Sequence, residues 1–491
     1  MPSFSDLFFV ALIAWLFVCG ASGWKSLLMD GDAGWHIRTG QYILAHGRVP
    51  KQDLFSFSRP NAPWFAWEWL ADVLDAALFQ FGGLKAIVLF AGVLIGIYAT
   101  VVLRYTLWRG ANALLAITTT LLAVGGSSMH FLARPHVFTL LLLPVCIWII
   151  ESDRRNPSRW LWALVPLTAL WTNLHGGVFA FLACLGLLVL GAALEAWSAR
   201  APWSRVRRYA ALLVGCSLAS IVNPYGIGLH GHVLEYLRSD WIKNLIQEFQ
   251  APTFRSEGQL QYEALLIIGL VLTGFLLKQR RFIEALWVLF LAHSSLTSVR
   301  HAPLYATVAA PLVASELTAL WKVLIRDAEK SSVGRILYQL GEDLRSAFRN
   351  ASVWPAIAVL ALVAVNDPIK WPRDFPSEAF PTAMVHRHAT LLQSGRLLTT
   401  DQWADYLIYS FYPHQKVFVD GRSDFYGPSI GNDYLRLMQG AYDAPSILKR
   451  YGFDVALLPI EWPLSNLLKL DRSWQIVQDD GRAILFRRVS Q

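Results

Sequence analysis

Apolar runs of membrane length, or nearly so, recur from Leu7 to Asn366 and leave little freedom in what this chain can become. About 20 apolar residues cross the ~30 Å hydrocarbon core as a helix. The runs fall at 7–23, 84–103, 111–128, 136–151, 160–173, 177–197, 209–223, 262–277, 282–298, 302–321 and 353–366, eleven in all. The short connections 104–110, 152–159, 198–208 and 278–281 carry 2, 3, 4 and 3 Lys/Arg, whereas the opposite turns 126–136, 172–177 and 297–302 carry only Arg134 and Arg300. That asymmetry sets orientation: N-terminus inside, the 24–83 loop outside, the C-terminus outside. Only 16% of residues are charged, against about 25% in soluble domains. The formal charge of +8 follows from the inside loops and implies no nucleic-acid partner. All four cysteines lie inside apolar runs and give no metal-binding spacing. No Lys or Arg precedes Leu7, so a cleaved signal peptide is not expected.

Two segments break the pattern. Ser331 to Asn350 carries Val333, Ile336, Leu337, Leu340, Leu344 and Phe348 on one helical face, as expected of an amphipathic helix resting on the cytoplasmic surface. From Pro368 the composition becomes that of a soluble domain. Segments 396–400, 416–420, 455–459 and 483–488 read as strands, and 404–412 and 432–439 as helices. The expected fold is a polytopic α-helical membrane protein of about 11 spans. Residues 1–367 form its membrane part and 368–491 a small external α/β domain.

Chemistry concentrates in the first external loop, at Asp30-Gly31-Asp32-Ala33-Gly34-Trp35-His36-Ile37-Arg38. Ionisable groups beside a bilayer are costly and are usually kept for function. An acid, an aromatic just before a His, and an Arg six residues after the acid resemble the first external loop of oligosaccharyltransferase catalytic subunits. Membrane glycosyltransferases of the wider GT-C class place an essential acid there. The resemblance implies a GT-C-like fold and transfer of a sugar from a polyprenyl-phosphate-linked donor to an external glycan, lipid or protein acceptor. It makes Asp32 the base or a ligand for Mg²⁺ or Mn²⁺, with Asp30 supporting it. Read locally, Asp32 could instead only cap the helix 34–46.

Glu68, in Trp64-Phe65-Ala66-Trp67-Glu68-Trp69, is a carboxylate among indoles, and with Asp72 and Asp75 it forms an i, i+4, i+7 acidic stripe. Trp67 and Glu68 suit a sugar wall, and GT-C enzymes often carry a second acid at this distance. Three external span ends hold compact polar motifs: Arg134-Pro135-His136, Asn173-Leu174-His175-Gly176 and Arg300-His301-Ala302-Pro303. Guanidinium groups bind phosphate in bidentate fashion. Arg134, His136, His175, Arg300 and His301, with His36 and Arg38, are therefore the candidates for holding the donor's phosphate and sugar. Trp403-Ala404-Asp405-Tyr406-Leu407 resembles the Trp-Trp-Asp-Tyr-Gly acceptor motif of oligosaccharyltransferases, followed by a strand and Asp420. Ala404 replaces the second Trp and Leu407 the Gly, so the resemblance does not extend to sequon binding. Asp405, Tyr406 and Asp420 are the acceptor-side candidates.

The expected protein is thus a glycosyltransferase of a bacterial inner membrane, surrounded by lipid, with its active site facing the periplasm. A transporter or flippase of lipid-linked glycans, or a non-catalytic scaffold for envelope assembly, are the alternatives. Inverted repeats would favour transport, and the sequence shows none.

Overall fold

The computed structural model describes residues 2–20, 23–348, 351–364 and 369–489. Ser22 in the first apolar run, Asn350, Asn366 and Pro368 lie outside the described residues. The described chain divides into two compact units: residues 1–23, 89–227 and 243–370 in one, and 24–88, 228–242 and 371–491 in the other.

The first unit is helical, and the chain is a multi-pass membrane protein. Six described helices are long and apolar enough to cross a bilayer: Trp69–Arg109, Ala113–His130, His136–Arg155, Val178–Trp197, Gly258–Lys278 and Val299–Leu324. Eleven spans were expected. Phe4–Cys19, Phe282–Thr297 and Trp354–Ala364 are apolar but shorter. The run 160–173 becomes a 3-10 turn, Arg159–Ala163, followed by a helix of 11 residues, Leu164–Leu174. At 1.5 Å per residue that helix rises about 17 Å, roughly half the hydrocarbon thickness. The run 209–223 is helical only to Ala219. Trp69–Arg109 begins well before the expected start at 84 and is interrupted at Gly82 and Gly83, where Gly83 takes φ +61°.

The amphipathic segment is helical over Val333–Arg345, but its apolar stripe divides. Leu344 and Phe348 pack on the buried cluster of Leu103, Leu107, Ala111 and Ala116. Asn112 Nδ2 donates to the Tyr338 carbonyl at 2.8 Å, and Tyr338 meets Trp321 edge-on at 5.6 Å. Val333, Ile336, Leu337 and Leu340 remain exposed.

In the second unit, strands β1 (Leu397–Thr399), β2 (Val455–Pro459), β3 (Trp474–Asp479) and β4 (Ala483–Arg488) form one sheet in the order β1-β2-β4-β3. β1 and β2 are parallel, and the other pairings are antiparallel. Leu397, Val455, Leu457, Ile484 and Phe486 within it are buried. Segment 416–420, expected as a strand, contributes only bridges: Val417 pairs with Leu397 on one side and with Ser56 on the other. The Phe57 N–H donates to the Val417 carbonyl at 3.0 Å and the Val417 N–H to Phe55 at 2.9 Å. The first loop thereby extends the C-terminal sheet, because an exposed sheet edge offers free N–H and C=O groups to any extended segment.

Helix α1 (Ala33–His46) ends at Gly47, whose φ of +64° is the left-handed conformation that closes helices at little cost in glycine. Helix α2 is the Trp69–Arg109 span, α3 covers Gly228–Arg238, α4 covers Asp401–Phe411 and α5 covers Ser423–Met438. Thr400 caps α4 by accepting the Trp403 N–H at 3.0 Å. α1 crosses α4 at Gly34, where a Cβ would collide with the Asp405 carbonyl and stand 3.0 Å from Tyr409 Cβ. Gly34→Val is therefore expected to cost about 1–3 kcal/mol, the usual range for overpacking, read as a lower unfolding temperature in detergent. An unchanged temperature would refute the close approach.

Candidate functional site

The first loop and the C-terminal domain build one group of polar residues. Asp30 Oδ1 accepts the Asp32 N–H at 2.9 Å, a tight turn that fixes the start of α1. Asp32 is 5% exposed, and its side chain makes no capping hydrogen bond to α1. Capping alone therefore does not account for it. A carboxylate at a helix N-terminus is stabilised by the aligned peptide dipoles, so Asp32 is placed to carry negative charge.

Opposite it stands Asp405, fully buried on α4. Asp405 Oδ1 accepts the Gly421 N–H at 3.1 Å, and among the described residues its buried Oδ2 has no hydrogen-bond partner. A Cβ on Gly421 would collide with Asp32 Oδ1 and stand 2.9 Å from Asp405 Oδ2. The two carboxyls thus converge on a surface that only glycine leaves open. Burial, then the neighbouring Asp32 and Asp420, push the Asp405 carboxyl well above the usual range.

Asp420 is saturated elsewhere. It accepts Arg422 Nε at 2.8 Å, Arg422 Nη2 at 2.6 Å and the Tyr426 hydroxyl at 2.7 Å. Arg422 Nη2 also reaches Asp53 at 2.8 Å, and Asp53 accepts Ser56 N–H and Oγ at 2.9 and 2.8 Å. The guanidinium lies 4.5 Å from the Trp64 ring centroid, 5.0 Å from Phe55 and 4.9 Å from Phe425. Burial disfavours its charge, but Asp420, Tyr426 and Asp53 more than compensate and keep Arg422 protonated. Arg422 and Asp53 were not singled out from the sequence; they stand 369 residues apart, and neither belongs to a recognisable local motif.

The remaining first-loop candidates face inward. His36 Nδ1 is 2.6 Å from Asp72 Oδ1, and Nε2 is 3.7 Å from Glu68 Oε2. The acidic stripe read at 68, 72 and 75 thus serves in part to hold this imidazole. Arg38 donates through Nε to the Tyr409 carbonyl at 2.8 Å and through Nη1 to Gln41. Trp67 meets His232 edge-on at 5.3 Å and Tyr236 at 5.6 Å, while His232 bonds Asp424 at 2.9 Å. The Tyr406 hydroxyl donates to Asp374 at 2.9 Å, inside the C-terminal domain.

A second group forms within the helical unit. Arg134 Nη1 lies 3.2 Å from Glu248 Oε1, and the Arg300 guanidinium sits 4.6 Å above the Phe249 ring. The turn carrying Glu248 is bonded to the same span end, through Ser298 Oγ to the Glu248 carbonyl at 3.0 Å and Val299 N–H to Gln250 at 2.8 Å. Burial opposes ionisation of Glu248, yet Arg134 and Arg300 hold its carboxyl far below the usual range. His136 Nε2 donates to the His130 carbonyl at 2.6 Å, and the His136 and His175 rings are 6.3 Å apart. His175 Nδ1 accepts the Gly177 N–H at 3.0 Å and the Thr139 hydroxyl at 2.7 Å, which itself accepts Trp171 Nε1 at 2.9 Å. The hydrogen of His175 is therefore on Nε2. Burial, then Arg300, hold the ring well below the ordinary imidazole range, hence neutral. His301 Nδ1 donates to the Ser294 carbonyl at 3.2 Å. Two guanidiniums and imidazole N–H groups around one carboxylate suit an anion. Glu248, His130 and Thr139 are members that the sequence did not reveal.

Among the described residues, no three His, Cys, Asp or Glu side chains are close enough to share one cation.

No protein-family description and no curated protein sequence matches this chain. Solved structures do. The oligosaccharyltransferase of Archaeoglobus fulgidus in its apo form superposes with a TM-score of 0.58 at 11% identity, over 93% of this chain and 69% of that one. The archaeal oligosaccharyltransferase AglB of the same organism, in complex with an inhibitory peptide and a dolichol-phosphate, gives 0.59 at 10% identity, over 99% and 74%. ArnT of Cupriavidus metallidurans bound to undecaprenyl phosphate gives 0.47 at 12% identity, over 99% and 98%. The chain has the fold of the archaeal oligosaccharyltransferases.

Proposed function

We propose that this protein is a membrane glycosyltransferase that moves a sugar from a polyprenyl-phosphate-linked donor to an external acceptor. The observation that carries the reading is Asp32: a buried carboxylate at a helix N-terminus, making no capping bond, facing a second carboxyl across Gly421. Such a group takes the proton of an attacking hydroxyl or amide. Within the helical unit, Arg134 and Arg300, with the Nε2 hydrogen of His175, offer donors of the kind that binds a lipid phosphate. The Lys/Arg asymmetry of the loops supports placement in a bacterial inner membrane with the first loop on the periplasmic side.

The test is transfer by purified protein in liposomes containing a polyprenyl-phosphate sugar, with mass spectrometry of glycoconjugates from a deletion strain to identify the acceptor. Arg300→Ala and Arg134→Lys are expected to raise the donor KM about 10-fold or more, since a hydrogen bond to a charged group contributes about 1.5–3 kcal/mol, with the acceptor KM unchanged. Unchanged donor KM in both would remove the phosphate role; absence of transfer by the unmodified protein from any lipid-linked sugar would remove the enzyme.

A further inference from the structure

We propose that Glu248 competes with the lipid phosphate for its seat: the carboxylate and a phosphate group are alternative partners of Arg134 and Arg300, and Glu248 sets how tightly the phosphate is held. The inference rests on the phosphate role of these two arginines proposed above and adds the residue that tunes it.

Three observations within the helical unit carry it. The first is charge. A guanidinium offers carboxylate and phosphate oxygens the same planar fork of N–H donors, so a seat that suits one anion receives the other. Arg134 Nη1 lies 3.2 Å from Glu248 Oε1. Burial works against the Glu248 charge, and Arg134 and then Arg300 restore it.

The second is looseness. Charge-assisted N–H···O bonds run at about 2.7–2.9 Å; this one is longer, and the two side chains keep 20% and 37% of their surface exposed. Ion pairs that water reaches contribute little to stability. The pair of Arg208 with Asp153 shows what a fixed fastening in the same unit looks like. Arg208 Nη2 and Nε reach the two Asp153 oxygens at 2.7 and 3.0 Å, and Asp153 is 1% exposed.

The third is that the backbone holds its place without the carboxylate. The turn Gln247–Phe249 is tied to the span end by Ser298 Oγ on the Glu248 carbonyl and by the Val299 N–H on Gln250. Gln250 Nε2 donates to the Lys243 carbonyl at 2.7 Å, and Phe249 is buried with the Arg300 guanidinium over its ring. The Glu248 side chain can therefore swing about its own torsions while the turn and Arg300 stay in position.

An internal competitor lowers affinity by a definite factor. If Glu248 engages the arginines for about nine-tenths of the time, phosphate binds about 10-fold more weakly than to the same arginines left uncontested. The same competition hastens release of the polyprenyl phosphate left after transfer, because the returning carboxylate displaces it.

Calorimetric binding of farnesyl phosphate and of inorganic phosphate to the purified protein in detergent tests the idea. Glu248→Gln keeps the size of the side chain and removes its charge. Its Kd for farnesyl phosphate is expected to be about 10-fold lower than that of the unmodified protein, and the gain should shrink in an Arg134→Ala background, where the contested partner is gone. A gain with both ligands assigns the seat to the phosphate group itself, and a gain with farnesyl phosphate alone assigns it to phosphate on a lipid; either supports the competition. An equal or higher Kd in Glu248→Gln overturns the proposal, because the carboxylate would then be a fixed support for the arginines. A gain of undiminished size with Arg134→Ala also overturns it, since loss of negative charge alone would explain that result. If Glu248→Gln fails to fold, Glu248→Asp, one methylene shorter, is read by the same rule: a lower Kd supports the competition and an equal or higher one refutes it. The phosphate role is judged separately. Farnesyl phosphate binding that survives both Arg134→Ala and Arg300→Ala unchanged removes the seat, and the competition with it, whatever Glu248→Gln does.

Discussion

Asp32→Asn is expected to lower glycosyl transfer by about 10²-fold or more, the usual scale for losing a general base, while leaving the unfolding temperature nearly unchanged. The stability half of this expectation comes from geometry. Asp32 makes no capping bond whose loss would weaken α1, and asparagine is isosteric. Asp30→Asn provides the contrast. Asp30 acts through one oxygen that accepts the Asp32 N–H, and the asparagine carbonyl accepts it as well, so a change of only a few-fold is expected. Rates measured with saturating donor and acceptor decide between the two carboxylates. A near-normal Asp32→Asn beside an inactive Asp30→Asn would transfer the role to Asp30.

The largest expected loss of stability follows from Arg422→Met. Removing one member of a buried ion pair leaves the partner charged and desolvated, at a cost of about 3–5 kcal/mol. Here two carboxylates, Asp53 and Asp420, would lose their common cation, and both are under 5% exposed. Methionine fills much of the volume among Trp64, Phe55 and Phe425, so the loss reports charge rather than a cavity. Thermal unfolding in detergent should show a marked destabilisation, with the first loop becoming susceptible to protease. Arg436→Ala, which removes a surface pair with Asp443, should produce no resolvable shift. A small effect of Arg422→Met would mean that the pair is not the fastening between Asp53 and the 420–422 turn.

Local pattern and long-range pairing were unequally legible in the sequence. The spans could be read because hydropathy is additive over a window; Ala113–His130, His136–Arg155 and Val299–Leu324 needed nothing beyond their own residues, whereas Trp69–Arg109 was read only from 84. Leu164–Leu174 was overestimated, since composition does not report that the preceding five residues wind as a 3-10 turn. Strand 474–479 was missed because its burial does not alternate: only Trp474 is buried, and Ile476 is exposed. The first loop announced its polar residues, but not their partners. Nothing near Asp32 indicates Asp405, and nothing near His36 except the acidic stripe indicates Asp72. Tyr406 and Asp420 matched a motif by type, yet their polar atoms are engaged by Asp374 and by Arg422. Spacing reveals which chemistry is present; only the fold reveals what each group faces.

The strand-like pairing of Ser56 with Val417 has a consequence in time. The Ser58 hydroxyl and its acceptor, the Phe418 carbonyl, are 360 residues apart. At about 5–20 residues per second, a ribosome needs on the order of 20–70 s to cover that distance. Throughout that interval the first loop exists without its sheet edge, without Arg422 beside Asp53 and without α4 against Gly34. Its aromatic cluster and free backbone edge are then open to holdases, to proteases and to the loops of other nascent copies. The carboxylate at position 32 thus waits for its enclosure until Gly421 has been made, so chaperoning of the unpaired loop bears on the yield of folded protein.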